Sequence, residues 1–204
     1  MKHSPAIEVR NADPADAGAF ADLAALASGD LAPVLYGGRG SRMFQGMFLQ
    51  PKNLSTYHKA FIAAVDGESA GMLLGFTWRE QEAENEATDW LHARYLGLRT
   101  LWTMFVLAGT PRWFGRAFEG EYYINYLAVY PDYRGLGLGI RLLDRAEEAA
   151  LASGCAALSL DVEFSNEPAI SLYRKHGFHV TKEAPFHALR PRWRRVYRMQ
   201  KGLG

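Results

Sequence analysis

The chain has 204 residues, with 23 Lys+Arg against 22 Asp+Glu and a formal net charge of +1. That length suits one domain with a sizeable core, and 49% hydrophobic with 22% charged residues excludes a disordered or collagen-like chain. One cysteine excludes a disulfide framework and a Cys-rich zinc site, and the near-neutral charge argues against a dedicated nucleic-acid binder. Residues 1–12 contain no apolar run of the secretory kind, so the expectation is a cytoplasmic single domain over residues 1–204, with no metal and no membrane or nucleic-acid partner.

Residues 7–10 alternate apolar and polar and predict a first strand. Asp13-Pro14-Ala15-Asp16 reads as a helix start: Asp13 can cap, Pro14 suits the first helical position and Asp16 complements the dipole. Phe20, Leu23, Ala24 and Ala27 follow at helical spacing until Gly29. Gly37-Gly38-Arg39-Gly40 reads as a flexible connector, and Met43, Phe44, Met47 and Phe48 form a short amphipathic piece stopped by Pro51. Residues 61–65 and 72–76 are apolar runs on either side of Asp66-Gly67, a dipeptide that favours positive φ and predicts a β-hairpin.

Residues 80–118 form an insert. An acidic stretch leads into Trp90, Leu91, Tyr95, Leu96, Leu98, Leu101, Trp102, Phe105, Val106 and Leu107. These positions surround most of a helix, which predicts that it is largely buried, against a site or in a homodimer interface. Arg94 and Arg99 interrupt the run, and a membrane span needs about 20 predominantly apolar residues. The second half is more regular. A strand over 122–130 runs into Pro131-Asp132-Tyr133-Arg134-Gly135-Leu136-Gly137-Leu138-Gly139, then a helix over 140–152, a strand over 156–162, a helix over 166–176 and a strand starting at 178. Residues 195–199 are its expected hairpin partner. No repeat or linker divides the chain.

A strand running through glycines into a helix N-terminus is built to bind an anion, because unpaired amides converge there and the dipole favours negative charge. A P-loop needs Gly-Lys-Ser/Thr, which is absent. A dinucleotide fingerprint needs G-x-G-x-x-G where this turn has G-x-G-x-G, although Asp161 lies 22 residues beyond Gly139 near the end of the next strand.

A third design fits best. Arg134 to Gly139 is similar to the R/Q-x-x-G-x-G/A turn of the GNAT superfamily of N-acetyltransferases. The strand ending Leu127-Ala128-Val129 resembles the family's fourth, 158–162 resembles its fifth, and Asn166, Ala169, Leu172, Tyr173, Gly177 and Phe178 match its N…A…LY…GF segment. The match is close over 121–181 and holds in outline elsewhere. It implies a mixed α/β fold: a central, mostly antiparallel sheet with splayed parallel strands 4 and 5 and helices on both faces. It implies acetyl transfer from acetyl-CoA to a primary amine of a small molecule or protein by direct attack. The alternative is an inactive CoA-binding sensor or interaction module of the same fold.

Carried over residue by residue, the resemblance puts the CoA pyrophosphate on the amides of Arg134, Gly135, Leu136, Gly137, Leu138, Gly139 and Ile140. Pantetheine would pair with Leu127, Ala128 and Val129 and with Asn166, and Tyr173 would protonate the departing thiolate. Some members carry a glutamate base on the fourth strand; its place here is Tyr123, and Glu121, two residues earlier on the same expected face, is the candidate base. The acceptor side is assigned to 13–60 and the insert, with Tyr36, Phe44, Trp90 and Trp102 as aromatic lining. Cys155 reads as a small buried hydrophobe. His58, His176, His179 and His187 show no metal spacing, and His187 is an outside choice for a base. Arg190, Arg192, Arg194, Arg195, Arg198 and Lys201 read as solvated tail positions.

Overall fold

The computed structural model describes residues 5–186 and 194–204. Seven strands form one sheet in the order β1-β2-β3-β4-β5-β7-β6, with β4 and β5 parallel and every other pair antiparallel. The strands are β1 (Ile7–Asn11), β2 (Ala60–Val65), β3 (Glu68–Thr77), β4 (Glu121–Val129), β5 (Ala157–Glu163), β6 (His179–Phe186) and β7 (Arg194–Gly202). Helices α1 (Ala17–Ser28), α2 (Leu31–Tyr36), α3 (Gly40–Phe48), α4 (Trp78–Leu96) and α5 (Arg99–Leu107) belong to the first half, and α6 (Leu138–Ala152) and α7 (Glu167–Lys175) to the second.

Two cores sandwich the sheet. On one face Leu142, Leu143 and Ala146 of α6 and Ile170 and Tyr173 of α7 pack on Leu73, Ile124, Leu158 and Leu160. On the other, Phe20 and Leu23 of α1 and Phe44, Met47 and Phe48 of α3 pack on Ile62, Met72 and Leu74. Asp13 caps the helical entry, accepting from the Ala15 N–H at 2.7 Å. Asp16 does more than complement a dipole: it takes Arg10 of β1 bidentately at 2.7 and 2.8 Å and the Ser69 hydroxyl of β3 at 3.0 Å, tying α1 to the sheet.

Two expectations in the first half are corrected. Gly37–Arg39 is not a loose connector but a single tight helical turn feeding α3. The insert is not one buried helix. Gly97, at φ +59°, breaks it into α4 and α5, and Leu98 (87% exposed), Leu101, Met104 and Phe105 face outward. The cause lies at the end of α2, whose last carbonyls are free to accept from outside the helix, although Pro33 also takes the Gly37 N–H. Arg99 donates to Pro33, Val34 and Leu35 at 2.8–3.1 Å, Thr103 to Leu35 at 2.8 Å and Trp102 to Val34 at 3.1 Å. Docking α5 by this polar edge turns much of its apolar face out. Among the described residues, no single helix is long and apolar enough to cross a membrane.

Candidate functional site

A cleft of about 900 Å³ opens where β4 and β5 part. Their parallel pairing runs from Glu121↔Ala157 to Ile124↔Leu160 and stops there. Beyond it β4 stays paired with β3, leaving its other edge open. The Tyr130 N–H donates to Ala70 of β3 at 2.9 Å. Because amides alternate in direction along a strand, those of Val129 and Leu127 point to the open edge.

A bulge sets the side chains here. Leu74 pairs with Tyr126 and Gly75 with Ile124, so Asn125 is the extra residue on β4. The extra residue reverses the alternation. Tyr123 faces the Phe76 and Leu54 side, whereas Leu127 and Val129 pack with the α6 core. The expected common face of Glu121, Tyr123, Asn125 and Leu127 is therefore broken at Asn125.

The glycine turn lies at the cleft's other wall. Gly135 and Gly137 stand at φ +85° and +77°, the left-handed region that favours glycine, and Gly137 is the N-cap of α6. Arg134, Gly135, Gly137, Leu138, Gly139 and Ile140 line the cleft; the Leu136 side chain is half-exposed and does not. Asn166 caps α7 through its oxygen, which accepts from the Ala169 N–H at 3.3 Å, leaving its NH₂ group to donate. Tyr173 is buried beside Phe178, and burial pushes its hydroxyl up to about 12. Its hydroxyl has no protein hydrogen-bond partner among the described residues.

Glu121 is elsewhere. It is buried, is not part of the cleft wall, and accepts from Ser159 Oγ at 2.8 Å, Gln200 Nε2 at 2.7 Å, the Phe118 N–H at 3.0 Å and Arg198 Nη2. Three of these donors converge on Oε2 and one on Oε1, so this buried side chain locks the root of β4 to β5 and β7 away from the cleft. Arg198, read from sequence as a solvated tail residue, is fully buried between the Phe118 and Tyr123 rings. Its other arm reaches Asp161 Oδ1 at 3.3 Å. Asp161 lines the cleft and takes the Tyr123 hydroxyl at 3.0 Å and the Gly115 N–H at 2.7 Å on Oδ2. These bonds belong to the sheet face and the insert, and the Asp161 side chain is only 1% exposed, which turns its carboxylate away from any ribose in the cleft.

Of the expected aromatic lining, only Tyr36 reaches the cleft. Phe44 is core beneath Tyr36 and Tyr126, while Trp90 and Trp102 face out. Leu35, Leu107, Phe114 and Tyr126 complete the apolar wall. Cys155 is buried, and burial raises its thiol pKa. His176 meets Asp144 at 2.9 Å on the α6 surface, and His58 stacks on Tyr57. His187, Arg190 and Arg192 lie outside the described residues.

Residues 39–178 match the family model of the acetyltransferase (GNAT) family. An uncharacterized protein of Mycobacterium leprae is 43% identical over 84 residues, 41% of this chain and 22% of that one. An N-alpha-acetyltransferase of Arabidopsis thaliana is 43% identical over 56 residues, 28% of this chain and 30% of that one. The chain thus spans less than a third of either relative. A crystal structure of an acetyltransferase superposes with a TM-score of 0.70 at 25% identity, covering 97% of this chain and all (100%) of that one. A Salmonella typhimurium protein classed as an acetyltransferase and solved with its cofactor acetyl-CoA superposes with a TM-score of 0.64 at 20% identity, covering 98% and 95%.

Proposed function

Because the chain belongs to the GNAT acetyltransferase family, we propose that it moves the acetyl group of acetyl-CoA to a primary amine by direct attack. The observation that carries this is one cleft uniting the glycine turn at the α6 N-terminus, the open edge of β4 and the Tyr173 hydroxyl. The pyrophosphate takes the amides of 134–140. Pantetheine follows the β4 edge to the Leu127 and Val129 amides, with Asn166 donating from the opposite wall. The Val129 N–H polarises the thioester carbonyl, an oxyanion donor at fixed position.

Tyr173 stands at the sulfur. A hydroxyl held at about 12 is a weaker acid than a thiol, so as a lone donor it would run uphill. It works as a relay. As the tetrahedral intermediate collapses, the hydroxyl gives its proton to sulfur and receives the one leaving the nitrogen. In place of Glu121 as base we assign that residue the structural role its four donors describe.

Acetyl-CoA incubated with a panel of primary amines, with free thiol followed, tests the reading. The expected result is thiol release that depends on the amine and yields the N-acetyl product. CoA binding with no turnover across the panel would favour the sensor module of the same fold.

A further inference from the structure

We propose that the outward face of α5 and the arginine pocket at its head form a docking surface for an anionic lipid bilayer. The inference goes beyond acetyl transfer and does not rest on it. Leu98, the N-cap of α5, and Leu101, Trp102, Met104 and Phe105 within it are exposed, from 44% to 87%. Spacings of three and four put Leu98, Leu101, Trp102 and Phe105 in one stripe, while Thr103 and Val106 are buried on the other side. A contiguous apolar stripe on a folded surface marks an interaction site.

Charge decides what meets it. A cavity of about 430 Å³ lies at the head of the stripe, lined by Tyr36, Gly38, Arg39, Gly97, Leu98 and Arg99. Each guanidinium lies against a glycine: a Cβ added at Gly37 would sit 2.9 Å from Arg99 Cζ, and one at Gly97 3.1 Å from Arg39 Nη1. Arg39 donates from Nη1 to the Leu96 carbonyl, and Arg99 from Nε and Nη2 to the carbonyls of α2. These acceptors are uncharged. Neither arginine meets a carboxylate among the described residues, and Arg39 Nη2 and Arg99 Nη1 keep N–H groups to donate. The segments that build this face add no negative charge. Residues 31–65 and 90–118 contain no Asp or Glu, against Arg39, Arg42, Arg94, Arg99, Arg112 and Arg116 around the pocket and stripe. The acidic stretch of α4 ends at Asp89, which lies roughly 12 Å along the helix from Gly97.

Apolar side chains beside unpaired arginines fit the boundary between headgroups and acyl chains in a bilayer that contains anionic lipid. The stripe enters that boundary, and Arg39 and Arg99 take a headgroup phosphate. A second copy fits poorly, because a two-fold interface centred on the stripe brings the same arginines of both chains together. With nine residues, α5 lies in the surface rather than crossing it, so the lack of a long apolar helix among the described residues has no bearing here. Tyr36 borders both the arginine pocket and the cleft, and Leu107 at the end of α5 borders the cleft as well. Docking therefore holds the cleft at the bilayer surface.

The test sediments the full chain with vesicles of phosphatidylcholine alone and with vesicles of an equal mixture of phosphatidylcholine and phosphatidylglycerol. Wild type should bind the mixed vesicles about tenfold more tightly or better, and that excess should fall as salt rises. The double variant Leu101→Gln, Phe105→Gln keeps every charge. With its fold checked by circular dichroism, it should lose about tenfold or more of its binding to mixed vesicles. Arg39→Gln keeps the stripe and should lose most of the preference for anionic lipid. Wild type that stays in the supernatant with mixed vesicles, or binds both kinds equally, overturns the proposal. So does a double variant that binds as wild type does. Full anionic preference in Arg39→Gln overturns the pocket as the headgroup site and the docking surface with it. A wild-type dimer in light scattering that the double variant converts to monomer overturns the bilayer in favour of a second copy.

Discussion

Tyr173 and Glu121 show how burial assigns chemistry to single residues. Both are nearly fully buried, at 7% and 6% exposed, yet one hydroxyl stands at a cleft without a protein partner among the described residues and one carboxylate takes four protein donors. A relay that acts as the C–S bond breaks affects the chemical step and leaves binding alone. Tyr173→Phe should keep acetyl-CoA affinity and lower kcat by roughly 10²–10⁴-fold where chemistry limits turnover. The loss should shrink with acyl donors whose leaving thiol has a lower pKa, because that thiolate departs with less help. Steady-state kinetics with two such donors checks both statements, and equal losses for the two would remove Tyr173 from the proton path.

At the scale of elements, the insert is fastened by points that no periodicity displays. Lys59 bridges Glu80 and Glu84 of α4 at 3.1 Å each, Gln81 ties α4 to the Gly115 carbonyl and the Ala117 N–H at 2.8 Å, and the hydroxyl end of Tyr95 lies against Gly46 of α3. A Cβ added at Gly46 would sit 2.1 Å from the Tyr95 hydroxyl oxygen, so the ring and its 2.9 Å bond from Gln50 must give way. Gly46→Ala should thus destabilise by about 1–3 kcal/mol, the usual range for overpacking. In a Tyr95→Ala background the same change should stabilise by about 0.5–1 kcal/mol, since alanine suits a helix better than glycine. Urea denaturation of the four chains closes this cycle. A destabilisation that persists without Tyr95 would place its origin outside the α3–α4 contact.

Across the whole molecule, the sheet divides the labour. β4 to α7 build the wall that carries the glycine turn, while α1 to α5 and the loop that follows them bring Leu35, Leu107 and Phe114 to the other side of the cleft. The outward stripe of α5 lies apart from both cores. Leu101 and Phe105 are 68% and 63% exposed, so little of their apolar surface leaves water on folding. Leu101→Gln and Phe105→Gln should each change the unfolding free energy by no more than about 0.5 kcal/mol, with acetyl-CoA affinity held. Thermal unfolding and calorimetry measure both quantities, and a loss above 2 kcal/mol would mean that the stripe is covered when the protein is folded in solution.

Whatever depends on neighbours in the chain was legible in the sequence by itself. The strand, glycine turn and helix over 121–152, the Asp66-Gly67 hairpin and the Asp13 cap all rest on φ preferences, capping and periodicity within a few residues. Tertiary structure alone decided what depends on residues far apart. Asp161 meets Tyr123 across 38 positions, and Arg198 meets Glu121 across 77. One extra residue at Asn125 turned a strand face over, which no count of alternating positions reveals without the partner strand. The α5 face was set by open carbonyls of α2 some 65 residues away. Local sequence encodes backbone conformation. A charge or a hydroxyl acquires its role from the partners that folding brings to it, and those partners are distributed over the entire chain.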